Sequence, residues 1–134
     1  MNRSSLRTLL YVDDEPDIRQ IAAMALGLAP DLEVHVADSG EQALKIMAPL
    51  KPDLVMLDVM MPGLDGPATM KRMRENPALA AIPVVFITAK AMPQEVARFR
   101  ALGAAGVIPK PFDPMTLGSQ VFAMWESLPE GDRP

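Results

Sequence analysis

Short runs rich in branched apolar residues recur along the chain: Leu9 to Val12, Leu32 to Val36, Leu54 to Leu57, Val84 to Ile87, and Val107 to Ile108. Their length and composition predict strands. Between them the apolar positions change to helical spacing, as in Ile18, Ile21, Ala22, Ala25 and Leu28, or Leu117, Val121, Met124 and Leu128. Punctuation residues support the division. Ser39 with Gln42 three residues on reads as a capping box opening a helix through Ala43, Leu44 and Met47. Asp113 followed by Pro114 marks the last helix, with Phe112 placed to staple onto Leu117. Pro49, Pro52, Pro77, Pro83 and Pro93 are expected between the periodic segments, where a missing N–H costs little. Alternating strands and helices with nearly continuous apolar strands predict a doubly wound α/β fold: a parallel sheet with helices on both faces.

Size and charge narrow the picture. At 134 residues the chain suits one domain with a substantial core. That domain is expected over residues 8–128, with short polar tails at 1–7 and 129–134. The net charge of −4, with no run among the 13 basic residues, argues against direct nucleic-acid binding. Cysteine is absent, which excludes disulfides and thiolate chemistry. No apolar run approaches the roughly 18 residues needed to span a bilayer, and Met1 to Arg7 lacks a signal-peptide core, so a cytoplasmic protein without membrane contact is expected. Asn2-Arg3-Ser4 matches a glycosylation acceptor formally, but a cytoplasmic chain does not meet that enzyme.

In such a fold all strand C-termini share one edge, where ligands bind. The first strand ends in Asp13-Asp14, the third in Asp58, the fourth in Thr88 and the fifth in Lys110. Each alone is open to a structural reading as a cap or surface residue; together they suggest a site. Three converging carboxylates repel unless a cation or a proton offsets the charge, and Mg²⁺ is the natural choice. With a lysine ammonium and a threonine hydroxyl, the edge suits phosphoryl transfer, with Asp58 as acceptor.

The stretches Val12-Asp13-Asp14-Glu15, Leu57-Asp58-Val59-Met60-Met61-Pro62-Gly63-Leu64-Asp65-Gly66, Ile87-Thr88-Ala89 and Lys110-Pro111-Phe112 resemble the motifs of two-component response-regulator receiver domains. The resemblance runs from about Leu9 to Leu128. It implies a flavodoxin-like sheet of five strands in the order 2-1-3-4-5. It further implies phosphorylation of Asp58, Mg²⁺ held by Asp13, Asp14, Asp58 and the backbone carbonyl of Met60, and phosphoryl contacts from Thr88 and Lys110. The phosphodonor would be a histidine kinase or a histidine phosphotransfer protein. Output to a downstream protein would use the face of the fourth helix, fifth strand and fifth helix. The role is that of a signalling phosphoacceptor, with only self-catalysed phosphotransfer and dephosphorylation.

Two positions depart from the family pattern. Receivers commonly carry Tyr or Phe three residues before the lysine, where this chain has Val107. No aromatic ring can rotate there, so the signal is expected to travel through Thr88 and the segment from Ala89 to Val96. Pro109 removes a donor from the fifth strand, which an edge strand tolerates. The resemblance implies a cis Lys110-Pro111 bond.

Other chemically tempting residues have plainer readings. His35 lacks a second ligand nearby and reads as structural; Asp17, Asp53 and Asp65 read as loop and cap residues; Met60 and Met61 read as adaptable packing. Phe112, Met115, Phe122 and Trp125 divide between core and a possible partner face. A haloacid-dehalogenase-like phosphatase is a rival, but its motif needs Asp-x-Asp, whereas Asp13 and Asp14 are adjacent and there is no cap domain. A degenerate receiver that only binds is a second rival, opposed by the complete set of Asp13, Asp14, Asp58, Thr88 and Lys110. No GxxxxGK or GxGxxG pattern supports nucleotide binding.

Overall fold

A computed structural model describes residues 6–128. Asn2-Arg3-Ser4 and the tail at 129–134 lie outside the described residues. Five strands alternate with five helices: β1 Thr8–Val12, α1 Pro16–Leu26, β2 Glu33–Ala37, α2 Gly40–Leu50, β3 Leu54–Asp58, α3 Gly66–Glu75, β4 Val84–Thr88, α4 Pro93–Ala101, β5 Gly106–Pro109 and α5 Pro114–Ser127. All strand pairs are parallel and their order is 2-1-3-4-5. The expected fold and strand order are present.

Each strand sends alternate residues to opposite faces, and two separate cores result. Leu10, Val12, Val55, Leu57, Val84 and Phe86 join Ala43, Met47, Met70, Met73 and Phe99 from α2, α3 and α4. Leu9, Tyr11, Met56, Val85, Ile87 and Ile108 join Ala22, Leu26, Leu117, Val121 and Trp125 from α1 and α5. The central strands are buried on both sides, as their unbroken apolar runs require. Leu6, expected in a polar tail, is buried in the second core, and the Arg7 amide donates to Asp53 Oδ2 at 2.9 Å.

The helix caps follow the sequence closely. Ser39 Oγ accepts from the Gln42 amide at 3.1 Å. The return half of the box shifts by one residue, because Gln42 Oε1 accepts from the Asp38 amide at 2.6 Å rather than from Ser39. Asp65 and Asp113 accept from the amides of Ala68 and Met115, each at 2.9 Å. Phe112 packs against the core that holds Leu117.

Three expectations need correction. Pro49 lies inside α2, in its last turn, where only one helical hydrogen bond is lost before Lys51 closes the helix in a left-handed conformation (φ 49°). Pro93 is the first residue of α4, where its amide hydrogen would have had no helical partner anyway. Leu28 falls beyond α1 and is 74% exposed, while Ile21 is also exposed. The buried stripe of α1 is Ala22, Ala25 and Leu26, two of them small enough to bring the helix close to the sheet.

Candidate functional site

The C-terminal ends of β1, β3, β4 and β5 gather one group of side chains. Asp13 follows β1 and is fully buried; its amide donates to the Ala37 carbonyl at 3.1 Å. Its side chain receives the Tyr11 hydroxyl at 3.1 Å and the Glu15 amide at 3.0 Å, while Arg19 Nη1 donates to its carbonyl at 2.9 Å. Asp58, the last residue of β3, is also buried, and its Oδ1 accepts from the Met60 amide at 3.3 Å. Gly66 presses on the backbone here: a Cβ at that position would lie 2.6 Å from the Asp58 carbonyl oxygen. Only glycine lets α3 begin so close beneath the acid.

Lys110 reaches this group from the far end of the sheet. Its Nζ lies 3.0 Å from Asp58 Oδ2, 3.1 Å from Asp13 Oδ2 and 3.2 Å from Glu15 Oε1. The Lys110-Pro111 peptide is cis. Pro109 pairs with Thr88 across the sheet, and since β5 is an edge strand its missing donor leaves no ladder partner stranded. The Lys110 amide resumes the bonding, donating to the Thr88 carbonyl at 2.8 Å. Thr88 is buried at the end of β4, one strand from Asp58, and its Oγ1 accepts from the Lys90 amide at 3.0 Å.

The electrostatics follow from burial among like charges. Desolvation drives the Asp58 carboxyl up to about 6, assisted by the charge of Asp13 and opposed by Lys110 and the Met60 amide. Burial works against the Lys110 ammonium, but its bonds to Asp58 and Asp13 outweigh that and push its pKa up, so it stays charged. Burial, then Asp13, pushes the Tyr11 hydroxyl up, so it remains a donor. Carboxylate oxygens of Asp13, Asp14 and Asp58 all lie within 4.8 Å of one another, close enough to share a metal ion. Asp14 is half-buried. Asp13, Glu15 and Asp58 pair with one lysine and Asp14 adds a fourth carboxylate, which leaves an excess of negative charge suited to a divalent cation.

The structure therefore brings together Asp13, Asp14, Asp58, Thr88 and Lys110, the residues singled out at the strand ends. Two participants were not foreseen. Tyr11 looks like an ordinary strand aromatic, and only its place two residues before Asp13 on the same side of β1 hints at the bond. Glu15 carries no signal beyond its place in the acidic run, since its partner Lys110 is 95 residues away. Val107 is half-buried against the core containing Phe86 and Phe99, whose rings meet edge to face at 5.1 Å.

The residues given plainer readings mostly keep them. His35 pairs with Glu33 on the outer strand β2. Asp53 Oδ2 accepts from the amides of Arg7 and Thr8, and Asp65 caps α3. The two methionines separate: Met61 packs into the first core, whereas Met60 is 77% exposed beside the site. Trp125 is buried, Phe112 and Phe122 are half-buried, and Met115 is exposed.

A family model for the response regulator receiver domain matches residues 9–122. The chain is 34% identical over 126 residues to the phosphate regulon transcriptional regulatory protein PhoB of Pseudomonas aeruginosa, covering 94% of this chain and 55% of that protein. It spans between 25% and 55% of the length of the first curated relatives it matches. Among solved structures it is similar to the chemotaxis response regulator CheY4 of Vibrio cholerae, with 30% identity, a TM-score of 0.81, and 90% and 99% of the two chains covered. The N-terminal domain of a response regulator receiver protein from Methanoculleus marisnigri is similar at 34% identity and a TM-score of 0.72, covering 92% of this chain and 97% of that one. Alternating β and α elements, the 2-1-3-4-5 sheet, the acid cluster with its lysine and these matches agree: the chain belongs to the response regulator receiver domain family.

Proposed function

We propose that the domain, residues 8–128, receives a phosphoryl group on Asp58 from the phosphohistidine of a histidine kinase or a histidine phosphotransfer protein. The observation that carries this reading is the buried Asp58 carboxylate held 3.0 Å from Lys110 Nζ beside the oxygens of Asp13 and Asp14. A carboxylate oxygen of Asp58 bonds to phosphorus as the phosphorus–nitrogen bond of the donor breaks, and the imidazole leaves with the bonding pair and takes up a proton. Asp58 must be ionised to attack. Its pKa of about 6 leaves it mostly so at neutral pH.

The surrounding residues position the groups and balance their charge. Lys110, held charged, pairs with Asp58 before transfer and is placed to meet a phosphoryl oxygen afterwards. Thr88 Oγ1 accepts from the Lys90 amide and retains its own proton to donate to a second oxygen. Tyr11 and the Glu15 amide hold the Asp13 carboxylate in place. Asp13, Asp14 and Asp58, with the backbone carbonyl of Met60, would hold Mg²⁺, which fits their excess negative charge. When bound, the ion supplies charge neutralisation at the phosphoryl oxygens.

An apolar groove lined by Ile18, Ile21, Pro111 and Phe112 opens beside Lys110 and suits the docking of the phosphodonor protein. Output to a downstream protein is assigned to the face of α4, β5 and α5, without contact to nucleic acid. No helix among the described residues is long and apolar enough to cross a membrane. The reaction is placed in the cytoplasm, and the domain turns over no external substrate beyond its own phosphorylation and dephosphorylation.

Incubation with acetyl phosphate and Mg²⁺, followed by intact mass measurement, tests the reading. One added phosphoryl group is expected on the parent protein, less of it with EDTA, and none on Asp58→Ala. An unmodified parent protein, or a modified Asp58→Ala, contradicts it.

A further inference from the structure

Away from the strand ends, positive charge collects between α3 and α4. Arg74 is half-buried there, and its Nη1 donates to the Ala80 carbonyl at 3.1 Å and the Ile82 carbonyl at 2.9 Å. No carboxylate among the described residues pairs with it. A partly desolvated guanidinium bonded only to carbonyls lacks the counter-charge that such a group normally has. Arg100 Nη1 likewise reaches only the Ala105 carbonyl, at 3.3 Å, and Lys71 is exposed without an ion pair among the described residues.

These three cations border two adjoining hollows that share Arg74. Between α3 and α4 runs an open groove of about 430 Å³ lined by Pro67, Ala68 and Leu102 over the buried Met70, with Lys71 and Arg74 along its wall. Arg74 and Arg100 both line a neighbouring hollow of about 360 Å³. Among the described residues no acidic side chain lines either one. Leu102, at the end of α4, is half-exposed. The result is an apolar floor edged by cations that have no ion pair among the described residues, on a chain whose net charge is −4.

We propose that the α3–α4 groove docks an acidic amphipathic segment of a partner protein, its apolar side on Pro67, Ala68 and Leu102 and its carboxylates on Lys71, Arg74 and Arg100. The shape suits a helix laid in a groove, and the charge selects an acidic one. A nucleic acid fits poorly, because three cations make a weak phosphate track and no aromatic ring lines the groove for base stacking. None of its lining residues belongs to the cluster around Asp58.

The test titrates the full chain, with labelled methyl groups, with a 16-residue helical peptide carrying leucines on one face and glutamates on both flanks. The same peptide with lysine in place of glutamate and a twelve-residue oligothymidylate are run in parallel. The acidic peptide is expected to shift the methyl signals of Ala68 and Leu102. Its binding should weaken at least about tenfold in the Lys71→Glu, Arg100→Glu double variant, which alters only exposed side chains and keeps the parent amide spectrum elsewhere. Equal binding of the lysine peptide, stronger binding of the oligonucleotide, or an acidic peptide that leaves those methyl signals unmoved overturns the proposal.

Discussion

Asp58 carries two opposed demands. Burial favours its neutral acid, whereas phosphoryl transfer needs its anion. In the metal-free protein its pKa of about 6 lies above the ordinary value near 3.8. Its contribution to stability is therefore complete below about pH 4 and is lost as pH rises through about 6. Asp58→Asn holds that position neutral at every pH. In EDTA the variant should melt about 5 °C or more above the parent at pH 8, and the difference should shrink toward zero by pH 4. Adding Mg²⁺ at pH 8 should raise the parent's melting temperature more than the variant's, because a ligand has been removed. Calorimetry at both pH values checks this; a gap of the same size at each contradicts the role given to Asp58 ionisation.

Among the elements, β4 and the turn into α4 form the most direct route outward from the site. Thr88 ends β4 next to Asp58, and its hydroxyl oxygen holds the Lys90 amide. Drawing Thr88 toward a phosphoryl group loosens that bond and frees the segment from Ala89 to Val96. Val107, half-buried and without a ring, offers no rotating side chain to report the change. Beryllofluoride with Mg²⁺ should therefore shift the amide signals of Ala89 to Val96, with Lys90 among the most affected, and Thr88→Ala should suppress that shift. Unchanged signals in this segment would place the route elsewhere. β5 contributes mainly position: Pro109 occupies an edge, and the next residue, Lys110, returns to the ladder while its side chain crosses to Asp58.

For the whole molecule, the five-stranded sheet is the common wall of two cores. Trp125 sits in the core under α1 and α5, while Phe86 and Phe99 sit in the other. Neither core can lose the sheet without exposing the second, so unfolding should be a single cooperative transition. Trp125 fluorescence and far-ultraviolet circular dichroism are expected to give one urea midpoint. Separated midpoints would mean that the two layers fold independently.

The amino-acid sequence by itself determined the order of elements, the doubly wound class and the residues at the strand ends. Those features depend on local rules: apolar runs, caps such as Ser39 and Asp113, and the alternation that forces parallel strands. Asp13, Asp14, Asp58, Thr88 and Lys110 were legible because a parallel sheet must carry them to one edge. Boundaries were less so, since Pro49 in the last turn of α2 and Leu6 in the core depend on tertiary packing outweighing local preference. Only the folded chain joined Glu15 to Lys110 across 95 residues, bonded Tyr11 to Asp13 and separated buried Met61 from exposed Met60. It also left Arg74 half-buried without a counter-ion among the described residues. Side-chain partners distant in sequence and the depth of burial arise from three-dimensional packing, which periodicity along the chain does not encode.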